Sequence, residues 1–316
     1  MELVLRREFE AGELVRVHPP ELRHPHKRLV YELCGGAETR GPLAVTRWRA
    51  GDIAALTRRG DDSASGRDTE VIGVRGHYTY DVESAGVWHV NFADPSLFFA
   101  YGGALLAQDE LQAAEHPVLG SIREALLAER QAVTEEDGIA TPVLVAGAER
   151  RCALETAPTR ERPAGLYGNR FSAAPAEVVR SAVHVLRPPT RSNLIAIAAP
   201  SGGHGEYARD ELAQILVTAY TGFAAAVAES ERLWPGTPVE VRTGFWGCGA
   251  FGGNRHVMTI LQLAAARLAG VARVRFYAFD DAGQRTFTEA CSVKVGEDPI
   301  AAVLERGYRW GTSDGN

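Results

Sequence analysis

The sequence predicts an α/β fold in which a sheet lies between two layers of helices, a three-layer α/β/α sandwich, with an N-terminal accessory region before it. Three observations carry this. From about residue 86 onward, short apolar runs alternate with segments of helical periodicity. Hydrophobic residues make up 45% of the 316, enough for an extensive core. Two segments that would join strand ends to helices, 94–110 and 244–254, have unusual content at the place where open α/β sheets hold ligands. The length fits two domains or one large one, divided here as 1–85 and 86–316.

The elements follow in order. Residues 1–85 hold many arginines and turn signals (His18-Pro19-Pro20, Cys34-Gly35-Gly36) around short strand-like runs at 71–74 and 78–80, and 60–67 reads as a loop. Residues 87–92 form a strand, 104–114 a helix stopped before His116-Pro117, and 122–131 a second helix. Strands are expected at 143–146 and 194–198, whereas 152–189 shows no clear period. Leu212, Ile215, Leu216, Ala219 and Phe223 recur at helical spacing within a long helix at 206–231. A strand at 238–243, a helix at 254–269 closed by Gly270, and a strand at 274–279 complete the pattern.

Composition sets limits on function. The formal charge of −6 argues against a dedicated duplex-DNA binder. No uninterrupted apolar run reaches the roughly 18 residues of a membrane span, so no membrane partner is expected, and Arg6, Arg7 and Glu8 come too early for a signal peptide. Cys34, Cys152, Cys248 and Cys291 form no CxxC pair, which fits a reduced, cytoplasmic setting without a zinc ribbon. Lysine occurs only at 27 and 294, a bias given no functional weight. His24 and His26, in a proline-flanked loop, read as solvated side chains rather than metal ligands.

The segment Thr243-Gly244-Phe245-Trp246-Gly247-Cys248-Gly249-Ala250-Phe251-Gly252-Gly253-Asn254 joins a strand to a helix. Its glycines permit positive φ and close approach of backbone N–H groups, and the following helix adds a partial positive charge, an arrangement suited to an anion such as diphosphate. A tightly packed strand–helix turn would use glycines in the same way. There is no Gly-Lys-Ser/Thr, so this is not a P-loop.

The wording of this segment resembles the diphosphate loop of poly(ADP-ribose) glycohydrolases, Thr-Gly-Asn-Trp-Gly-Cys-Gly-Ala-Phe-Gly-Gly-Asp. The similarity continues in order through Val90-Asn91-Phe92-Ala93-Asp94, Gln108-Asp109-Glu110, 145–150, Arg209 to Leu212, 219–223, Gln262 with Ala264 and Ala265, and 276–281, covering roughly 86–285. The resemblance implies a macrodomain with a mixed sheet, an ADP-ribose cleft, and hydrolysis of an ADP-ribose glycosidic linkage in a polymer, on protein or on nucleic acid. It implies Glu110 as general acid and then base, with Asp109 hydrogen-bonding a ribose hydroxyl. It places ADP-ribose against Asp94, Gln108, Gly102, Gly103, Phe245, Gly247, Cys248, Gly249, Ala250, Phe251, Gly252 and Phe279, with no metal or cofactor. Cys248 has no adjacent histidine and reads as a loop residue, not a nucleophile.

The departures lie at the chemistry. Phe98-Phe99-Ala100 stands where the family has three glycines, unless a two-residue slip brings in Tyr101-Gly102-Gly103. Asp94 replaces an asparagine, Phe245 replaces another, and Arg151 and Cys152 stand where a tyrosine is expected. The displaced glycines, Asp94 and Phe245 suit a second reading, a macrodomain that binds ADP-ribose or a related nucleotide without cleaving it. A third has Phe98, Phe99 or Phe245 stacking on a nucleic-acid base. Arg150, Arg151, Arg160, Arg162, Arg170 and Arg180 form either a solvated face or a grip on a phosphate-rich substrate.

Overall fold

The computed structural model describes residues 1–51, 68–80, 85–296 and 298–315. Its strands are β1 (Glu2–Glu10), β2 (Pro42–Arg49), β3 (Glu70–Val74), β4 (Val87–Ala93), β5 (Glu135–Glu136), β6 (Ile139–Ala140), β7 (Val143–Leu154), β8 (Val183–Ala198), β9 (Glu240–Gly244) and β10 (Arg273–Tyr277). Its helices are α1 (Ala11–Val17), α2 (Pro25–Leu33), α3 (Gln108–Glu115), α4 (Val118–Ala128), α5 (Arg170–Ala173), α6 (Ala176–Ala182), α7 (Arg209–Leu233), α8 (Arg255–Ala269), α9 (Asp281–Ser292) and α10 (Pro299–Leu304).

Eight strands form one mixed sheet in the order β1-β2-β7-β8-β4-β9-β10-β3. The five strands from β8 to β3 run parallel, and β7, β2 and β1 extend the sheet antiparallel. Alternation along the central strands builds both faces. Trp88, Val90, Leu144, Ile195 and Ile197 point to one side, where they pack on α7 and α8. Val143, Val145, Leu194 and Ala196 point to the other, under α1 and α4. The three-layer architecture of the sequence reading is therefore present.

The boundary at residue 85 requires correction. It does not divide the sheet, because β1 and β2 pair onto β7 while β3 pairs onto β10. Residues 1–85 thus supply both edges of the sheet. An accessory layer would have left β7 and β10 with unpaired backbone groups.

Several elements are longer or later than expected. The helix expected at 104–114 begins at Gln108, because 98–106 is spent in turns. The aperiodic stretch 152–189 holds the end of β7, the short helices α5 and α6, and the start of the 16-residue β8. The run 78–80 is not a strand, and the loop expected at 60–67 lies outside the described residues. By length and composition α7 is apolar enough to cross a membrane, although polar residues interrupt it; it lies largely buried against the sheet and α8. Asn254 caps α8 by accepting from the amides of His256 and Val257, and Gly270 closes it at φ 74°. Parallel strands β4 and β9 lie side by side, so the segments leaving them, 94–107 and 245–254, emerge together at their carboxyl ends.

Candidate active site

The first turn of α3 holds three polar residues about 100° apart around the helix axis, and each is spent differently. Gln108 is anchored to the adjacent strand: its Oε1 accepts from the Phe92 amide at 2.8 Å and its Nε2 donates to the Val90 carbonyl at 3.0 Å. Asp109 turns inward, where its Oδ1 accepts from Asn91 Nδ2 at 2.9 Å; the same amide donates to Gln112. Glu110 folds back so that its Oε2 accepts from the Ala107 amide at 2.9 Å, satisfying one of the orphan donors at the start of the helix. Asp109 and Glu110 are both buried.

Opposite them stands the glycine loop. Gly247 and Gly252 both adopt φ 72°, and a β-carbon at Gly247 would stand 2.6 Å from that of Ala199, so both conformation and space demand glycine. Buried Trp246 pins the loop through its indole N–H to the Ile197 carbonyl, and Gln262 pins the end of β9 through Thr243 and the Gly244 carbonyl. Internal hydrogen bonds occupy the amides of Trp246, Cys248, Gly252 and Gly253. Those of Gly249, Ala250 and Phe251 make none among the described residues. Unspent amides beside a helix N-terminus are what an anion cradle requires.

Between α3 and this loop lies a cavity of about 380 Å³, in the size range of small-molecule sites. Its wall includes Asp94, Gln108, Asp109, Glu110, Phe245, Gly247, Gly249, Ala250 and Phe251, so nine of the residues singled out in the sequence come together. The remaining five do not line it. Gly102 faces the N-terminal region, where a β-carbon would meet the Glu21 carbonyl at 2.1 Å, and Gly103 turns back to Ala100. Gly252 lies under residues 311–313. Cys248 points its thiol at the Trp246 carbonyl, and burial pushes that thiol up to about 12, an inert state. Phe279 is exposed at φ 69° with its edge against His77.

The slip that would have put Gly102 and Gly103 beside the ligand is absent: Phe99 and Ala100 line the cavity instead. Phe98 takes the left-handed conformation, φ 51°, yet its ring is wholly buried and so faces no base. Phe99 is exposed with the Arg123 guanidinium above its ring. Asp94 accepts from the Ser96 amide at 2.9 Å, a local turn that commits one of its oxygens.

Of the six arginines, three are committed to carboxylates of the fold: Arg150 pairs with buried Glu115, Arg151 with Glu149 and Glu38, and Arg162 with Glu155. His26 is buried, with Nδ1 at 2.9 Å from the Phe171 carbonyl, rather than solvated. Among the described residues no group of three metal-ligating side chains occurs.

Four contributors escaped the sequence reading. Lys27 of α2 is buried behind the acid pair, its Nζ 3.4 Å from the Glu110 carbonyl oxygen and over the Phe171 ring. Asn91 holds Asp109, and Tyr167 and Asp314 line the cavity. Lysine scarcity marked Lys27 but carried no functional weight, and Asn91 lay within the matched 90–94 motif without a role; Tyr167 and Asp314 had no periodic or motif signal.

The electrostatics follow from burial. Desolvation, and then the neighbouring Glu110, push the Asp109 carboxyl up to about 8, against the opposing pull of Asn91 and Lys27. Desolvation also raises Glu110, opposed chiefly by Lys27. Lys27 is itself drawn down to about 8 by burial, against the charges of Glu110 and Asp109. The site therefore holds two carboxyl groups biased toward retaining a proton, one cation behind them, and an anion cradle across an aromatic-walled cavity.

Residues 167–286 match the family described as poly(ADP-ribose) glycohydrolase (PARG), macro domain fold. That span includes the glycine loop and Phe279 and begins beyond Asp94 and α3. No curated protein matches. Among solved structures, the chain is similar to poly(ADP-ribose) glycohydrolase from Thermomonospora curvata, at 16% identity over 94% of this chain and 97% of that one, with a TM-score of 0.43. It is also similar to the Deinococcus radiodurans enzyme in complex with ADP-ribose, at 14% identity over 85% of this chain and 96% of that one, with a TM-score of 0.47.

Proposed function

Because residues 167–286 match the poly(ADP-ribose) glycohydrolase macro domain, we propose that the cavity binds ADP-ribose and that Glu110 hydrolyses an ADP-ribose glycosidic linkage. The observation that carries this reading is the facing arrangement of two buried carboxyl groups and a loop with unspent amides across one cavity. The cradle takes the diphosphate and leaves the distal ribose beside α3.

Cleavage of a glycosidic bond passes through an oxocarbenium-like state, and its barrier falls when an acid protonates the departing oxygen. Glu110, raised by burial, gives that proton and then takes one from the attacking water. Asp109, still protonated at neutral pH, holds a ribose hydroxyl without adding a second charge. Lys27 balances whichever single charge the pair carries.

A pH dependence follows. Asp109 ionises as pH rises through about 8, placing a like charge beside Glu110 and facing the diphosphate. Activity, read as kcat/KM, is expected to fall above that pH, and Asp109→Asn is expected to shift this alkaline limb, leaving the part set by Glu110 and Lys27. An unshifted limb in the variant would show that Asp109 does not contribute to it. Stability changes in a matching way. The unfolded carboxyl loses its proton near 3.8 and the native one near 8, so the native state binds more protons in between, and stability falls as pH rises through that window. Asp109→Asn is therefore expected to raise Tm at pH 8 and to leave it nearly unchanged at pH 4.

Binding without turnover is the second reading. It is favoured by Phe99 and Ala100, whose side chains line the cavity where the resembled family has glycine. ADP-ribose binding by a chain that releases nothing from poly(ADP-ribose), mono-ADP-ribosylated protein or ADP-ribosylated DNA selects it.

A further inference from the structure

Residues 308–315 lie across the mouth of the glycine loop, outside the span that matches the family. Trp310 anchors the segment: its ring stacks on Tyr207 at 4.4 Å, its Nε1 donates to Glu211, and its amide donates to the Gly205 carbonyl. Asn254, the cap of α8, donates from its Nδ2 to the Arg309 carbonyl, and the Gly311 amide donates to the Gly252 carbonyl. The Asp314 amide donates to the Gly249 carbonyl at 3.4 Å, and Asn169 donates to the Gly315 carbonyl. All five residues 311–315 are exposed. The Asp314 side chain nevertheless forms part of the cavity wall, and a β-carbon on Gly249 would stand 3.3 Å from its carboxylate.

A carboxylate thus sits at the turn whose neighbouring amides are unspent. We propose that segment 311–315 is an internal pseudo-ligand: Asp314 competes with the ligand's diphosphate for the Gly249–Phe251 cradle, and the segment swings out from the Trp310 anchor when ligand enters. This deepens the reading of the loop as a diphosphate site and rests on it. The physical basis is like-charge exclusion. A diphosphate seated on the three amides would stand beside that carboxylate, and at about 4 Å in a water-exposed site each such repulsion is worth roughly 1 kcal/mol, about a fivefold change in affinity.

Calorimetric titration of the full chain with inorganic pyrophosphate and with ADP-ribose tests this, comparing the native protein with Asp314→Asn. Asp137→Asn, in the exposed β5–β6 turn, controls for net charge. Asp314→Asn is expected to bind both probes about fivefold or more tightly, and Asp137→Asn to match the native protein. Unchanged or weaker binding by Asp314→Asn overturns the proposal, the weaker case making Asp314 a ligand contact. If pyrophosphate binding tightens but ADP-ribose binds neither protein, the pseudo-ligand stands and the ADP-ribose reading falls. If ADP-ribose binds both proteins equally, the reverse holds. Binding of neither probe removes the cradle and overturns the proposal with it. Hydrogen exchange adds a charge-independent readout: amides in 311–315 are expected to exchange faster once pyrophosphate is bound, and slower exchange would mean closure over the ligand rather than competition with it.

Discussion

Glu110→Gln is expected to lower turnover by about 10²–10⁴-fold while leaving ADP-ribose affinity within about twofold of native. The substitution isolates the proton. The introduced carboxamide would keep an oxygen to accept from the Ala107 amide, so the start of α3 stays satisfied and the fold is undisturbed. What disappears is the ability to donate to a leaving oxygen and to deprotonate water. Labelled poly(ADP-ribose) and mono-ADP-ribosylated protein or DNA as substrates, with calorimetry on ADP-ribose, separate the two quantities. Turnover retained in the variant refutes Glu110 as the acid. Lost affinity with retained turnover would make it a binding residue.

The second large effect falls on stability. Phe98 fills the core under α4 with no exposed surface, and it does so at φ 51°. Phe98→Ala removes the ring and is expected to cost about 3–5 kcal/mol, the usual range for a buried phenylalanine. The left-handed conformation makes a sharper claim possible. Strain at such a residue is of order 1 kcal/mol and persists in alanine but vanishes in glycine. Phe98→Gly is therefore expected to be less destabilised than Phe98→Ala, although it removes one carbon more. Denaturant midpoints for the three proteins check the order Phe, Gly, Ala; Gly below Ala would mean that the conformation relaxes on truncation and carries no strain. The result bears on function as well, since the buried Phe98 anchors the turn that presents Phe99 and Ala100 to the cavity.

Much of this protein is determined by the sequence alone. The alternating strands and helices from residue 86, the glycine loop into α8 and its closing Gly270, and the adjacent carboxyl groups of α3 are local or periodic features. Each depends on neighbours within a turn, a strand or a few residues, and side-chain spacing reports such dependence directly. The same locality explains the misses. Strands β1 and β2 join the sheet through β7, and β3, whose run at 71–74 was legible, joins it through β10; such pairing with distant strands leaves no local signal. The choice between Phe98-Phe99-Ala100 and the later glycines was decided by packing, since Gly102 is needed against Glu21. Lys27 comes to the acid pair from another helix 82 residues before Asp109, and Asp314 reaches the cradle from a segment with no period at all. Burial converts an ordinary Asp-Glu pair on a helix into carboxyl groups that keep their protons. Burial is a property of the folded chain, which only the tertiary structure decides.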